Sequence, residues 1–123
     1  MPSVIIVSGP NEGDYYPLVK RPLVFGRDEA CSAQVVDELV SRKHLQIRFD
    51  EKTNGYCALD MKSANGVFIN GRKMEAETQL TDGDMIELGK SKLMFTTDDF
   101  KDRESAMNHY RKRGERGKST LIR

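Results

Sequence analysis

The chain has 123 residues, which is room for one domain and excludes a two-domain enzyme. Charged residues make up 32% and hydrophobic residues 37%, so the composition excludes wholesale disorder and predicts a polar, soluble protein with one modest core. The net charge of +1 hides a split, because residues 1–100 hold 12 Lys and Arg against 16 Asp and Glu, whereas residues 101–123 hold 8 against 3.

Residues 4–95 consist of short apolar or alternating runs separated by turn residues. This pattern is typical of an all-β sandwich or barrel and not of alternating strands and helices. The clearest run alternates Leu45, Ile47 and Phe49 with polar residues, which predicts a strand with one buried face. The predicted strands are residues 4–7, 15–19, 23–26, 34–36, 44–49, 56–60, 67–69, 78–80, 85–88 and 92–95.

Four Asn-Gly or Asp-Gly dipeptides lie between the predicted strands. Both positions of such a pair accept positive φ, so these dipeptides predict tight hairpins and strengthen the β interpretation. They are Asn54-Gly55, Asn65-Gly66, Asn70-Gly71 and Asp82-Gly83.

The pattern changes after residue 97. Phe100, Met107 and Tyr110 lie at helical spacing, which predicts a short C-terminal helix over residues 98–112. Residues 113–123 have two glycines and no apolar stripe, so we expect a flexible basic tail. The prediction is therefore a β domain over residues 1–97, followed by a helix and tail over residues 98–123.

The sequence offers little for catalysis. It has no nucleophile elbow, Walker loop, zinc-protease motif or dinucleotide-binding fingerprint, and it has only two histidines. Ser41, His44 and Asp60 can be assembled on paper into a hydrolytic triad, but a Ser and a His three residues apart near a strand start are a common accident. We expect a protein that is not an enzyme.

The two cysteines and the apolar runs set the expected compartment. Cys31 and Cys57 show no spacing typical of a metal site, which predicts two free thiols, no metal and no cofactor. The longest apolar run, residues 4–7, is far below the roughly 18 residues that a membrane helix needs. We therefore expect a cytoplasmic protein without a membrane partner.

Three loops carry side chains suited to binding an anion. Arg27 follows a predicted strand, Ser41 and Arg42 lie in a later loop, and Asn65 lies in a third. A phosphate is bound well by a guanidinium group together with hydroxyl and backbone N–H donors. An amide both donates and accepts, so Asn65 suits a peptide backbone better than the phosphate itself. Spacing alone does not show that these loops meet.

Four motifs follow one another along the chain: residues 26–27 (GR), 40–44 (VSRKH), 60–71 (DMKSANGVFING) and 80–89 (LTDGDMIELG). Their order and spacing resemble the forkhead-associated (FHA) domain family, over residues 4–96. The resemblance implies an eleven-stranded FHA-type β-sandwich whose loops at one end bind phosphothreonine peptides. This fold agrees with the all-β pattern read from the apolar runs.

The resemblance implies a role for each matching residue. Arg27 would clamp the phosphate, Ser41 would donate its hydroxyl to the same phosphate, and Arg42 would add charge there. Asn65 matches the asparagine that hydrogen-bonds the ligand main chain next to the phosphothreonine. The residues expected to support the loops are Gly26, His44, Ser63 and Gly66.

Ala64 departs from the family pattern. Thr or Ser is frequent at this position and can donate a hydrogen bond to the phosphate. Loss of that bond is expected to weaken binding by about 1.5 to 3 kcal/mol, or to leave the place to water.

The favoured function is a phosphothreonine-binding signalling adaptor whose partner is a threonine-phosphorylated protein. One alternative is a phospho-independent scaffold or assembly subunit that binds through a sheet face. The other is a nucleic-acid adaptor that uses the basic residues 111–118. Few aromatic residues interleave that run, so nucleic acid is not the expected partner.

Thr120 is a candidate phosphorylation site near the C-terminus. Arg116 and Lys118 precede it, a context that basic-directed kinases accept. The resemblance adds that some bacterial members of the family bind their own phosphorylated terminal segment. A flexible segment of about 20 residues spans roughly 25 Å, so Thr120 could reach its own site or a neighbour's. The expected partners therefore include the chain's own tail and a kinase.

Overall fold

The fold is all-β, as the spacing of the apolar runs predicts. The structure, a computed structural model, describes residues 2–97, and the predicted helix and basic tail over residues 98–123 lie outside the described residues. None of the described residues forms a helix that is long and apolar enough to cross a membrane. The strands in chain order are β1 (Ser3–Ser8), β2 (Tyr15–Pro17), β3 (Leu23–Gly26), β4 (Ala33–Gln34), β5 (Leu45–Asp50), β6 (Gly55–Asp60), β7 (Val67–Ile69), β8 (Arg72–Lys73), β9 (Thr78–Gln79), β10 (Met85–Leu88) and β11 (Ser91–Thr96).

The strands form two sheets. One has six strands in the order β2-β1-β11-β10-β7-β8, and the other has five in the order β4-β3-β5-β6-β9. All neighbouring pairs are antiparallel except β3 and β4, which run parallel. The two-sheet arrangement confirms the predicted sandwich.

The hydrophobic core lies between the two sheets. Alternate residues of each long strand point inward, as the period of two along a strand requires. Burial of their apolar surface stabilises the fold by roughly 25 cal/mol per Å². The larger members of this core are Val4, Ile6, Phe25, Leu45, Ile47, Tyr56, Val67, Ile86, Leu88, Leu93 and Phe95.

Each predicted strand overlaps a strand of the structure, although some ends differ. β2 ends at Pro17, two residues earlier than predicted. The Leu18 N–H still donates to the Pro2 carbonyl oxygen at 2.9 Å, but Pro2 has no N–H to return the bond, so regular pairing with β1 ends there. β8 was not predicted, because both of its residues are exposed and polar.

The predicted hairpins are confirmed only in part. Asn70-Gly71 joins β7 to β8, and its two φ angles of 52° and 84° are those that a type I′ turn requires. Asn65-Gly66 and Asp82-Gly83 instead connect strands that belong to different sheets, so the hairpin prediction is wrong there. The dipeptide reports the local backbone conformation and not which sheet the next strand joins.

Candidate functional site

Three loops meet at one edge of the five-stranded sheet. The first follows β3, the second precedes β5, and the third follows β6. β3 and β6 both run antiparallel to β5, which lies between them. The end of β3, the start of β5 and the end of β6 therefore share one edge. The register thus brings together the three loops that the sequence singled out.

Arg27 is attached to the second loop by its backbone and by its side chain. Its N–H donates to the Ser41 carbonyl oxygen at 3.0 Å, and its Nε donates to the Val40 carbonyl oxygen at 3.1 Å. Arg27, Asp28 and Arg42 line an open depression of about 280 Å³. Two guanidinium groups at one depression suit a doubly charged phosphate.

Gly26 is required by a close approach of two backbones. A Cβ at this position would lie 2.0 Å from the carbonyl oxygen of Arg42. The Gly26 backbone is itself held, because the Val35 N–H donates to its carbonyl oxygen at 2.8 Å. Glycine therefore lets the end of β3 lie against the second loop.

Ser41 and Ala64 join the second loop to the third. Ser41 Oγ accepts a hydrogen bond from the Ala64 N–H at 2.9 Å. Because the oxygen is engaged as an acceptor, the hydroxyl hydrogen stays available to donate to an anion. The Ala64 backbone thus orients the Ser41 hydroxyl, although the Ala64 side chain has no donor of its own.

His44 is fully buried behind the loops. Its Nδ1 accepts a hydrogen bond from the Ser41 N–H at 3.0 Å, and its Nε2 lies 2.7 Å from the Gly66 carbonyl oxygen. An amide N–H can only donate and a carbonyl can only accept, which assigns the neutral tautomer with the hydrogen on Nε2. One imidazole therefore connects the second and third loops.

The third loop is held partly by its own side chains. The Ser63 N–H donates to Asp60 Oδ1 at 3.0 Å, and Ser63 Oγ accepts from the Gly66 N–H at 3.0 Å. Gly66 has a φ of 82°, a conformation that strains any residue with a Cβ. The exposed Asn65 donates its Nδ2 to the Leu39 carbonyl oxygen at 2.8 Å, which leaves Oδ1 as an acceptor.

Comparison with known proteins settles the family. The family model of the FHA domain matches residues 23–89, which is more than half of the chain. The chain belongs to the FHA domain family. The matched segment contains each of the predicted binding and loop-support positions from Gly26 to Gly66.

The curated relatives of this FHA domain include two from Mycobacterium tuberculosis. The FHA domain-containing protein FhaA is 36% identical over 94 residues, which cover 75% of this chain and 17% of FhaA. The glycogen accumulation regulator GarA is 29% identical over 94 residues, which cover 76% of this chain and 56% of GarA. The chain therefore matches less than two thirds of the length of these relatives.

Solved structures share the fold. A structure from a structural and functional analysis of phosphothreonine-dependent FHA domain interactions has a TM-score of 0.69 at 29% identity, and the match covers 80% of this chain and 98% of that chain. The agreement extends over nearly the whole of that domain, so the architecture described above is that of an FHA sandwich.

Asp37 is a buried carboxylate within the second loop of this FHA domain, and sequence reasoning missed it. Its Oδ1 accepts from the Leu39 N–H at 2.9 Å, and its Oδ2 accepts from the Lys90 N–H at 2.8 Å and from Ser91 Oγ at 2.9 Å. Burial alone would raise the pKa of Asp37, but these hydrogen bonds and the charge of Lys90 lower the pKa below its ordinary value. Aspartate two residues before Leu39 is a signal for an Asx turn, whereas the two distant donors leave no trace in the sequence.

A second depression, of about 370 Å³, lies between the Asp37 loop and the loop before β11. Val36 and Leu39, which are 57% and 42% exposed, are among the few large hydrophobic side chains exposed in residues 2–97. The wall of this depression therefore combines apolar surface with three charged residues. The lining residues are Pro10, Val36, Asp37, Glu38, Leu39 and Lys90.

Both cysteines are free thiols, as predicted. Cys31 Sγ donates to the Arg42 carbonyl oxygen at 3.0 Å, and burial followed by the charge of Asp28 raises the pKa of this thiol. Burial, followed by the charge of Glu77, likewise raises the pKa of Cys57. A raised pKa keeps the reactive thiolate scarce at neutral pH. No cluster of His, Cys, Asp and Glu suited to a metal ion lies within residues 2–97.

Proposed function

We propose that this FHA domain is a phosphothreonine-peptide binding module, a signalling adaptor for threonine-phosphorylated partners that has no catalytic activity of its own. The observation that carries the proposal is the convergence of Arg27, Ser41 and Asn65 at one sheet edge, where each is held by a hydrogen bond to a neighbouring loop. Two similar proteins support the same role. GarA is a regulator, and the solved FHA structure comes from a study of phosphothreonine-dependent interactions.

In this proposal Arg27, Ser41 and Arg42 bind the phosphate. The Nε of Arg27 is committed to the Val40 carbonyl oxygen, so its terminal nitrogens face the ligand as a fixed pair of donors. The Ser41 hydroxyl supplies a third donor, and Arg42, which lines the same depression as Arg27, adds charge. Gly26, His44, Ser63 and Gly66 support the loops and do not contact the ligand.

Asn65 binds the ligand main chain. One hydrogen of its Nδ2 is donated to the Leu39 carbonyl oxygen, so the second Nδ2 hydrogen and Oδ1 are left for the backbone C=O and N–H of the ligand. A contact to the main chain requires an extended peptide and tolerates many side chains. Binding is therefore driven by the phosphate and guided by the backbone.

The second depression receives the ligand side chain three positions after the phosphothreonine. Its exposed apolar residues, Val36 and Leu39, lie in the second loop, and the Leu39 carbonyl oxygen accepts the hydrogen bond from Asn65. An aliphatic side chain would bury apolar surface against these two residues. We therefore propose an aliphatic preference at that ligand position.

The C-terminal residues have a part in the proposed function. Residues 1–97 form the FHA domain and residues 98–123 a helix with a basic tail, in a cytoplasmic protein. Phosphorylated Thr120 serves as a ligand for the same site, in its own molecule or in a neighbour's. The kinase that phosphorylates it is then a second partner.

The test measures binding of a degenerate phosphothreonine peptide library by fluorescence anisotropy at two salt concentrations. Phosphoserine and unphosphorylated libraries are the controls. We expect binding that requires phosphothreonine and is lost in Arg27→Ala. Arg48→Ala is the matched control, because Arg48 forms an ion pair with Glu77 outside the site. Retained binding in a folded Arg27→Ala variant contradicts the proposal.

Other outcomes identify the alternatives. Affinity that does not depend on phosphate points to a phospho-independent scaffold or assembly subunit. Binding that requires residues 111–123 and falls steeply with salt points to a nucleic-acid adaptor.

A further inference from the structure

The outer face of the six-stranded sheet carries an apolar cluster. Side chains on β1 and β11 alternate between the core and the outer face, and Ile5, Val7 and Met94 point away from the core. The register places Tyr15, Ile5, Met94 and Met85 in one row across β2, β1, β11 and β10. This row crosses the middle of the sheet.

The centre of this row is buried although it lies outside the sandwich. Ile5, Met94 and Val7 are 0%, 2% and 3% exposed. The apolar side chains of residues 2–97 that pack on them are Tyr15 and Met85, and these are themselves only half-buried. A sandwich of two sheets has two layers, and the outer face of each sheet is open to water. Burial of this kind requires a third layer.

The other sheet shows what an uncovered outer face is like in this protein. On β5 the residues that point away from the core are Gln46, Arg48 and Asp50, and all three are partly exposed. Arg48 pairs there with Glu77. Along β5 this outer face is polar and partly exposed, although Val24, Cys57 and Leu59 of the neighbouring strands share it, whereas the face around Ile5 is apolar and buried.

We propose that residues 98–112 form the third layer, as an amphipathic helix that packs on β1 and β11. Phe100, Met107 and Tyr110 share one face of that helix and would contact the row through Ile5 and Met94. The proposed occupant is thus the segment of the same chain that follows β11 directly.

The dimensions of the buried area fit one helix. A helix is about 10 Å wide, which covers two strands spaced about 4.8 Å apart, and 15 residues of helix are about 22 Å long against about 20 Å for a six-residue strand. The two central strands carry the buried residues, and the strands on either side carry the half-buried Tyr15 and Met85. A second sheet or domain would bury all four strands alike.

The chain leaves the sandwich at the end of β11, one of the two strands that carry the buried outer residues. Thr96, the last residue of β11, is buried and pairs with the buried Ser3 on this sheet. The Thr97 N–H donates to Asp82 Oδ1 at 3.0 Å, which fixes the backbone as it leaves β11. The proposed helix begins one residue later, so no long loop is needed to reach the face.

The direct test is methyl NMR on the full chain, with labelled Ile and Met methyl groups. We expect nuclear Overhauser contacts from the Met107 methyl, or from the rings of Phe100 and Tyr110, to Ile5 and Met94. Contacts of Ile5 and Met94 with Tyr15 and Met85 alone would overturn the proposal. Contacts that appear only between differently labelled molecules would overturn it too, because a second copy would then be the cover.

A pair of variants tests the stability that the contact contributes. Phe100→Ser/Met107→Ser/Tyr110→Ser in the full chain is expected to lower the Tm by at least about 10 °C, because three apolar side chains lose their burial. Leu121→Ser/Ile122→Ser is the matched control, with apolar residues of the same tail beyond the helix, and should leave the Tm unchanged. Equal Tm values for the two variants would contradict the docking.

Discussion

Ala64 takes part in the site through its backbone alone. Its N–H donates to Ser41 Oγ, and its methyl group offers nothing to a phosphate. Ala64→Thr should tighten phosphothreonine binding by about 10- to 100-fold, since a hydrogen bond to a charged acceptor contributes about 1.5 to 3 kcal/mol. Calorimetric titration of one phosphopeptide measures the gain. An unchanged affinity would mean that water or Arg42 already satisfies that phosphate oxygen.

Gly26 allows the contact between β3 and the second loop. Gly26→Ala should destabilise the domain by about 3 kcal/mol or more, because its Cβ would lie 2.0 Å from the Arg42 carbonyl oxygen and one backbone must move. Urea unfolding compares it with Gly55→Ala, whose nearest contact is the flexible Gln79 amide at 3.2 Å. Similar losses in the two variants would argue against the close approach.

The second loop depends on the charge of Asp37. The folded pKa of Asp37 is lowered, so its contribution is fully present above the unfolded value of 3.8 and is lost as the pH falls through the folded pKa. Asp37→Asn should cost about 1 to 3 kcal/mol at pH 7, and the difference from the wild type should narrow below about pH 3.8. Urea unfolding at pH 7 and pH 3 measures both differences. A difference in unfolding free energy that widens in acid would mean that the pKa of Asp37 is raised on folding and not lowered.

In the proposed function, the second depression selects the ligand side chain, which the phosphate contacts cannot do. Leu39→Ser should reduce the preference for an aliphatic residue three positions after the phosphothreonine by about 10-fold, since about 1.5 kcal/mol or more of apolar burial is lost. Val19→Ser is the control, because Val19 is also exposed, at 54%, but does not line the depression. Peptides with Ile or Lys at that position measure the ratio, and an unchanged ratio would move the selectivity elsewhere.

The sequence predicts elements that have a local signal and misses those that depend on partners. Residues 23–26, 67–69 and 85–88 coincide with strands because their apolar runs are bounded by turn residues. β8 has no such run, and only the turn at Asn70-Gly71 indicates that a strand must return there. Asn65-Gly66 shows the limit of a dipeptide signal, since the chain there passes from one sheet to the other.

The candidate site divides in the same way. Arg27, Ser41 and Asn65 could be named from motif order, and the register of β3, β5 and β6 explains why their loops meet. The partner atoms could not be named, because they are backbone groups such as the Leu39 carbonyl, which leave no trace in residue identity. The role of Asp37 depends on residues 90 and 91, which are more than 50 positions away.

At the scale of the whole chain, the tail supplies a test of self-recognition. A synthetic peptide of residues 113–123 phosphorylated at Thr120 should bind the protein, because it presents phosphothreonine among basic residues. Anisotropy should show that binding is lost without the phosphate and in Arg27→Ala. Equal binding of the unphosphorylated peptide would mean that the tail contacts the domain through its charge alone.

β1 and β11 pair antiparallel in the middle of their sheet, with Ser3 opposite Thr96. The other end of β11 reaches the second loop, since Ser91 hydrogen-bonds Asp37, about 17 Å from Thr96 at the rise of an extended strand. A tension applied between residues 3 and 96 would open the ladder one hydrogen bond at a time, starting farthest from the ligand. The domain would therefore yield to a weak pull, and the bound peptide would be the last part of the molecule to be affected.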